Sequence, residues 1–192
     1  VLESRDPARL AQYLCNMSRH DATHGTVQGD DEYRKIVKSS GYKRYISLMA
    51  KDKLVSLAEA IGATPIENPE QGIWGRSLSQ DPDELVTHIE AILKMDIAPP
   101  EIDGGLLKLE TSHGRFNERD CNALYTAWLL RNLTAEQAAP RLCEIGGGVG
   151  RVAYWSNRFG LRDYTIIDLP HINVLQGFYL CKALPDVNVR LY

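Results

Sequence analysis

The chain has 192 residues, of which 44% are hydrophobic and 24% charged, and its formal net charge is −3. This is the composition of an ordinary globular protein, and it excludes collagen-like, low-complexity and disulfide-dense chains. The small net charge provides no overall field for nucleic acid, and no apolar run approaches the roughly 20 residues that cross a bilayer. Because the first residues show no signal-peptide pattern, we expect a cytoplasmic protein without nucleic-acid or membrane partners.

The chain begins with Val1 instead of methionine, so we expect it to start inside a longer gene product. Its cysteines form no CxxC pair and show no zinc-finger spacing, which argues against a disulfide framework or a zinc site. Each cysteine has apolar neighbours, so we expect all four to be small buried hydrophobes: Cys15, Cys121, Cys143 and Cys181.

The first two thirds of the chain predict helices joined by loops. Asp6-Pro7 and Asp81-Pro82 each combine an N-cap residue with a proline at the first helical position, and therefore predict helix starts. Residues 42–62 predict a long amphipathic helix that ends at Gly62, with Tyr45 and Leu48 on its core-facing stripe.

Loops and shorter elements are expected between and after these helices. Residues 20–29 predict a loop, followed by a short helix, and the Pro/Gly-rich stretch that carries Trp74 predicts another. Residues 101–116 predict extended or turn structure, and Asn117 can cap the next helix.

The pattern changes at Pro140, after which short apolar runs alternate with helical segments. Strands are predicted at residues 141–145, 164–168 and 187–191, with a helix after each of the first two. Such alternation predicts a parallel sheet with right-handed crossovers, and we expect residues 141–145 between the other two strands. The last strand would be an open apolar edge, so we expect further chain or a partner to cover it.

The expected fold class is therefore α/β, in two parts. A helical N-terminal region, residues 1–135, precedes residues 136–192, which predict the first half of a Rossmann-like domain with three parallel strands and two helices.

A glycine-rich turn, Gly146-Gly147-Gly148-Val149-Gly150, follows the first of these strands. Glycine lets the backbone approach a ligand closely, and the helix after the turn directs free N–H groups toward that ligand. Asp168, about 22 residues after Gly146, ends the next strand, where a carboxylate can bind both hydroxyls of a ribose. The turn and the acid predict a pocket for a nucleoside with a polar tail.

Two cofactor classes use this geometry. The nicotinamide fingerprint G-x-G-x-x-G needs its third glycine at position 151, which is Arg151, and Glu144 before the turn would crowd a pyrophosphate. The sulfonium and ammonium of S-adenosylmethionine instead suit a nearby carboxylate. An NAD(P)-binding oxidoreductase and a non-catalytic binding fragment of a methyltransferase remain as alternatives.

The segment CEIGGGVGRVA, followed by YTIIDLP, resembles the first motif and the second-strand acid of class I S-adenosylmethionine-dependent methyltransferases. The longer pattern EIGGGVGRVAYW…YTIIDLPHINVLQGFYL is similar to the sugar O-methyltransferase family, and NMSRHDATHGTVQGDDEY and GATPIENPEQGIWG resemble its helical leader. The motif-level resemblance covers roughly residues 112–191. Members of that family continue through four further strands, which this sequence does not include.

The resemblance implies that S-adenosylmethionine is the cofactor and that a hydroxyl of a sugar-like small molecule is methylated. It implies that Glu144 holds the amino end of the cofactor, that Asp168 binds the ribose and that Leu169 packs near the adenine. The glycines of the turn would line the methionine and ribose side: Gly146, Gly147, Gly148 and Gly150. Helical leaders of such enzymes cover the acceptor site or form a dimer contact, so a homodimer is also implied.

Several residues retain a second interpretation. The glycine turn could be a plain connection between strand and helix, and Asp168 could be the N-cap of a helix at Pro170.

Three histidines, His20, His24 and His113, are candidates for the base that methylation of a hydroxyl needs, or else surface and capping residues. No histidine or acid cluster has metal-ligand spacing, so no metal is predicted. The basic stretch at residues 34–53 fits the solvated face of a helix better than a nucleic-acid surface.

Overall fold

The computed structural model describes residues 6–17, 38–66, 80–102 and 108–191. These ranges contain six α-helices and four short strands in two small sheets, a mixed α/β architecture. Contacts divide the chain into unit I (Val1–Lys38, Pro100–Leu106 and Thr126–Tyr192) and unit II (Ser39–Pro99 and Leu107–Tyr125). Among the helices described, none combines the length and the apolar character that a membrane crossing requires.

The longest helix of unit II, α2 (Ser40–Ala60), confirms the amphipathic helix predicted for this region. Ser39 caps its start by accepting a hydrogen bond from Tyr42 N at 3.2 Å. Gly62 ends it in a left-handed conformation, with φ of 81°, and Ala63 N donates to Ala58 O at 2.7 Å. This paired arrangement satisfies the last carbonyls of the helix, and it confirms Gly62 as the stop signal.

The core-facing stripe of α2 differs from the predicted one at its N-terminal end. Tyr45 and Leu48 are exposed, while Ala50, Leu54 and Leu57 are buried. Tyr45 precedes Leu54 by nine residues, which is about two and a half helical turns, so the two side chains leave opposite faces of the helix. The expectation that Tyr45 and Leu48 face the core is therefore wrong.

Two further helices begin in unit II, each at its predicted cap. Helix α3 (Pro82–Leu93) starts where Asp81 accepts a hydrogen bond from Asp83 N at 2.8 Å. A hairpin follows, with β1 (Leu109–Thr111) antiparallel to β2 (Gly114–Phe116). Asn117 then caps α4 (Glu118–Leu133) by accepting from the backbone N–H groups of the first turn at 2.8 and 3.0 Å. All of these caps were predicted from local sequence.

Unit I opens with α1 (Pro7–Cys15), which Asp6 caps as predicted. Its C-terminal part contains β3 (Arg141–Ile145), α5 (Arg151–Arg158), β4 (Asp163–Ile167) and α6 (Pro170–Ala183). Strands β3 and β4 are parallel, with Arg141 opposite Asp163 and Ile145 opposite Ile167. The predicted parallel pairing of these two strands is confirmed.

Aromatic packing positions the two helices that follow the strands. Trp155 of α5 and Tyr179 of α6 are each 1% exposed. The Tyr154 ring lies edge-on to Trp155, with 4.8 Å between ring centroids, and 6.4 Å from the ring of Tyr179. These rings bury large apolar areas, and their contacts pack α5 against α6.

Residues 187–191 form no strand, so the expectation of a third parallel strand is wrong for the described chain. Val187 N donates to Leu184 O at 3.1 Å and Val189 N to Val187 O at 3.0 Å. The Leu191 side chain lies against Gly177 of α6. Backbone groups that turn back on their own segment cannot extend a sheet. The expected order, with residues 141–145 in the centre, therefore has no counterpart.

The cysteines were expected to be buried, and this holds only for Cys121. Cys15, Cys143 and Cys181 are exposed, and all four thiols are free. Cys143 shows why the expectation fails, because strand residues alternate between faces. Its neighbours Leu142 and Glu144 are half-buried, and Cys143 therefore points to the exposed face.

Several sequence predictions lie outside the described residues. These are the loop at 20–29 with His20 and His24, the short helix after it, the loop that carries Trp74, and the start of the basic stretch at Arg34 and Lys35.

Candidate functional site

The glycine turn connects β3 to α5 at the carboxyl end of the parallel pair. Gly146 N donates to Ile167 O at 2.9 Å, which continues the strand pairing by one residue, and Gly150 N donates to Gly147 O at 2.9 Å. The φ angles of Gly146, Gly148 and Gly150 are 75°, 57° and 91°. These lie in the left-handed region that favours glycine, so the backbone itself explains why glycine recurs here.

The turn is tightly packed at some glycines and open at another. A Cβ atom on Gly147 would lie 2.7 Å from Ile166 Cγ2 and 2.9 Å from Glu144 Oε2, and one on Gly150 would lie 3.1 Å from Leu180. A Cβ atom on Gly146 would meet no atom within 4 Å. Gly147 and Gly150 therefore serve packing, while Gly146 faces space that a ligand can enter.

Asp168 directly follows β4 and is bonded to the glycine turn. Its Oδ2 accepts hydrogen bonds from Gly148 N at 3.2 Å and from Gln176 Nε2 at 2.9 Å, and its Oδ1 accepts from Leu169 N at 2.8 Å. The N-cap of α6 is Leu169, which makes no side-chain cap. Asp168 is thus tied to the turn, and it is not the helix cap that the sequence left as an alternative.

Glu144 lies on the half-buried face of β3, beside Gly147. Tyr164 of β4 donates its phenolic hydrogen to Glu144 Oε2 at 3.0 Å. Burial raises the pKa of Glu144, the hydrogen bond from Tyr164 lowers it, and the negative charge of Asp168 raises it. Burial also raises the pKa of Tyr164, which keeps the phenol protonated as a donor. Two carboxylates therefore act on the same turn, and their combined field favours a cation.

The carboxyl ends of the two strands also carry exposed apolar side chains. Ile145 is 83% exposed, Ile167 56% and Leu169 60%. The structure brings the predicted cofactor residues together, because all of them lie within or next to these strand ends: Glu144, the four glycines, Asp168 and Leu169. The carboxyl ends of the two strands therefore offer a ligand carboxylate acceptors, accessible backbone and apolar surface.

Two residues of the site were missed by sequence reasoning. Tyr164 orients Glu144, and the buried side chain of Gln176 orients Asp168. Tyr164 stands opposite Leu142, two residues from Glu144 on the same face, so the strand register contained a signal for it. Gln176 is eight residues after Asp168, and only the packing of α6 reveals its role.

A cavity of about 400 Å³ adjoins Asp168. Its walls come from α5, from β4 and the connection before it, from α6 and from residues 187–191, and no residue of β3 contributes to them. Asn173 Oδ1 is buried without a hydrogen-bond partner, and Asn173 and Gln176 both line this cavity.

The structure describes one of the three histidine candidates. His113 lies in the β1–β2 turn of unit II, where its ring contacts Glu90 and Thr87 of α3. Across the described ranges, no group of three or more histidine, cysteine or acidic residues could hold a metal ion.

Comparison of the chain with protein-family models, with curated proteins and with solved structures gave no match.

Proposed function

We propose that the chain binds S-adenosylmethionine and belongs to an O-methyltransferase that acts on a sugar or a sugar-bearing small molecule. Residues 136–192, with the parallel pair β3 and β4, would belong to the first half of a Rossmann-like domain, and residues 1–135 would be its helical leader. A cytoplasmic location and a homodimer are part of the same proposal. One observation carries it: Glu144 and Asp168 are held against an open glycine turn, at the carboxyl ends of adjacent parallel strands.

Charge supports this cofactor over a dinucleotide. Burial and the charge of Asp168 raise the pKa of Glu144, so the ionised side chain lacks a compensating positive charge. The ammonium and sulfonium of S-adenosylmethionine would supply that charge, whereas a pyrophosphate would add repulsion. Arg151 stands where the nicotinamide fingerprint needs glycine, and it is buried with its guanidinium 5.8 Å from the ring of Tyr179.

The acceptors and the open space also fit the nucleoside. A carboxylate oxygen accepts up to two hydrogen bonds, and Asp168 Oδ1 accepts one from Leu169 N. Asp168 therefore keeps acceptor capacity for a ribose hydroxyl. Leu169 offers exposed apolar surface to a flat base, and Gly146 leaves room for the methionine portion. These acceptors, this apolar surface and this open space are what support the cofactor proposal.

When bound, S-adenosylmethionine supplies an electrophilic methyl group. The residues described here would orient it, since attack by a hydroxyl requires alignment and the exclusion of water. Glu144 would fix the amino end, Asp168 the ribose, and the turn the backbone between them. The choice of a sugar hydroxyl as acceptor comes from the sequence resemblance alone.

Calorimetric titration of the chain with S-adenosylmethionine, S-adenosylhomocysteine and NAD tests the proposal. We expect both adenosyl ligands to bind and NAD to show no saturable binding. Preferential binding of NAD would favour the oxidoreductase alternative. Binding of the adenosyl ligands without methyl transfer to any sugar would favour the non-catalytic fragment, and absence of binding would refute the proposal.

A further inference from the structure

Three hydrogen bonds are divided unequally between the two oxygens of Asp168. Oδ2 accepts from Gly148 N at 3.2 Å and from Gln176 Nε2 at 2.9 Å, while Oδ1 accepts only from Leu169 N, at 2.8 Å, among the described residues. A carboxylate has about four acceptor positions, two on each oxygen. Both positions of Oδ2 are therefore occupied, and one position of Oδ1 is left for a ligand.

The remaining acceptor position lies on the accessible side of the carboxylate. The two bonds at Oδ2 have partly buried surroundings, whereas the bond at Oδ1 is exposed. Leu169, which supplies the N–H group at Oδ1, is itself 60% exposed. A hydroxyl that approaches Asp168 from solvent therefore meets Oδ1 before Oδ2.

Gln176 is held beside Oδ2 by the packing of α6. Gln176 is 4% exposed, and Ile172 and Tyr179, on the same face of the helix, are 7% and 1% exposed. A buried amide needs a hydrogen-bond partner, and Nε2 must face the carboxylate because Oε1 is an acceptor and would repel it. The packing of α6 therefore keeps one position of Oδ2 filled.

We propose that Gln176 is a positioning residue, which limits Asp168 to one of the two ribose hydroxyls. This inference rests on the proposed S-adenosylmethionine site and deepens it. A carboxylate binds two adjacent hydroxyls when each donates to a different oxygen. Because Gln176 and Gly148 occupy Oδ2, one hydroxyl donates to Oδ1 and the other hydroxyl has no position on Asp168. This differs from the sequence expectation, in which the carboxylate binds both.

Two analogues of S-adenosylhomocysteine, one without the 2′-hydroxyl and one without the 3′-hydroxyl, test this division in the wild-type chain. Calorimetry should show that one analogue binds about tenfold or more weakly than the parent ligand, because a charge-assisted hydrogen bond is lost. The other analogue should stay within about threefold of the parent. Equal losses for the two analogues, large or small, would overturn the inference.

Gln176→Met tests the role of the amide. Methionine keeps the length of the side chain and removes its hydrogen-bond donor, so Oδ2 regains one acceptor position. The second hydroxyl can then donate to Oδ2, and the ratio of the two analogue affinities should fall by about threefold or more. Gln137→Met makes the same change at an exposed position of unit I and should keep the wild-type ratio.

The affinity ratio separates positioning from a purely structural role. If Gln176→Met only loosened the fold, all three ligands would bind more weakly by one common factor, and the unchanged ratio would overturn the inference. In that case S-adenosylhomocysteine would still bind the wild type, so the proposed cofactor site would stand. Absence of binding of S-adenosylhomocysteine to the wild type would refute the proposed function, and this inference with it.

Discussion

In our proposal, Glu144 determines which ligand charge the glycine turn favours. Burial raises its pKa, and the hydrogen bond from Tyr164 only partly offsets this effect. A half-buried carboxylate in this situation is stabilised by a cation and destabilised by a further anion. The proposed preference for a cationic ligand therefore depends on one side chain beside Gly147.

Glu144→Gln should weaken S-adenosylmethionine binding about tenfold or more, because a charge-assisted hydrogen bond contributes about 1.5–3 kcal/mol. Binding of NAD should not improve, since Arg151 still occupies the fingerprint position. Calorimetry measures both affinities. Glu136→Gln, which removes the same charge from an exposed position of unit I, is the control. Unchanged affinity together with a lower Tm would show that Glu144 only accepts the hydrogen bond from Tyr164 and does not bind the ligand.

The free protein and the complex should respond to pH in opposite directions. The pKa of Glu144 is raised above its usual 4.5, so its contribution to stability is greatest below that value and declines as the pH rises through the raised pKa. Affinity for a cationic ligand should instead increase over the same interval, because the carboxylate ionises. Thermal unfolding and calorimetry measured from about pH 4 to pH 7 test both trends, and Glu144→Gln should flatten both. Parallel trends would contradict a cationic ligand at this carboxylate.

Asp168 both braces the turn and, in our proposal, binds the ribose. Asp168→Ala removes the acceptor of Gly148 N and Gln176 Nε2, and should cost about 1–3 kcal/mol of cofactor affinity together with some stability. Asp168→Asn should cost less affinity, because its amide oxygen still accepts. Calorimetry and thermal unfolding separate the two effects. If both variants lose stability and neither loses affinity, Asp168 only braces the turn.

At the scale of elements, comparing alanine substitutions at two glycines tests whether a ligand occupies the open space beside the glycine turn. Gly146 and Gly160 have φ angles of 75° and 86°, and a Cβ atom would meet no atom within 4 Å at either position. Alanine at each should therefore cost a similar stability, about 1–2 kcal/mol for a left-handed alanine. Only Gly146→Ala should also weaken cofactor binding, because its Cβ enters the proposed site. Equal affinities for the two variants would show that no ligand approaches Gly146.

Local signals predicted the elements that local contacts determine. Asp6, Asp81 and Asn117 cap the helices they were expected to cap, because an N-cap bond joins residues two or three apart. The parallel pairing of β3 and β4 was also predictable, since a helix separates two apolar runs. The gathering of Glu144, Gly146 and Asp168 followed from that pairing.

Contacts between distant segments were not predictable in the same way. Val187 and Val189 have a strand-like pattern, but a strand also needs a partner, and residues 187–191 turn back and pack against α6. The bonds from Tyr164 to Glu144 and from Gln176 to Asp168 depend on register and helix packing. The site residues were therefore predictable as a group, while their supporting side chains were not.

At the scale of the whole molecule, every residue proposed to bind the cofactor belongs to unit I. Ligand binding stabilises the folded state more as the ligand concentration rises. At a free ligand concentration a hundred times Kd, the free energy of unfolding increases by about 2.7 kcal/mol. Amide exchange should therefore slow in unit I when S-adenosylhomocysteine is added. The largest changes are expected where the ligand touches the backbone, at the glycine turn and at the end of β4.

Hydrogen exchange followed by mass spectrometry locates that change along the chain. Saturating S-adenosylhomocysteine should slow exchange in the peptides that span Glu144–Gly150 and Asp163–Leu169. This slowing, measured against the ligand-free protein, should be larger than in the other peptides of unit I. The amide of Gly148, already bonded to Asp168, should remain among the best protected of the turn. Glu144→Gln at the same ligand concentration should lose most of the slowing, because its affinity is lower, while Glu136→Gln should keep it. If NAD slows exchange in these peptides and S-adenosylhomocysteine does not, the glycine turn binds a dinucleotide. The charge argument built on Glu144 would then be wrong.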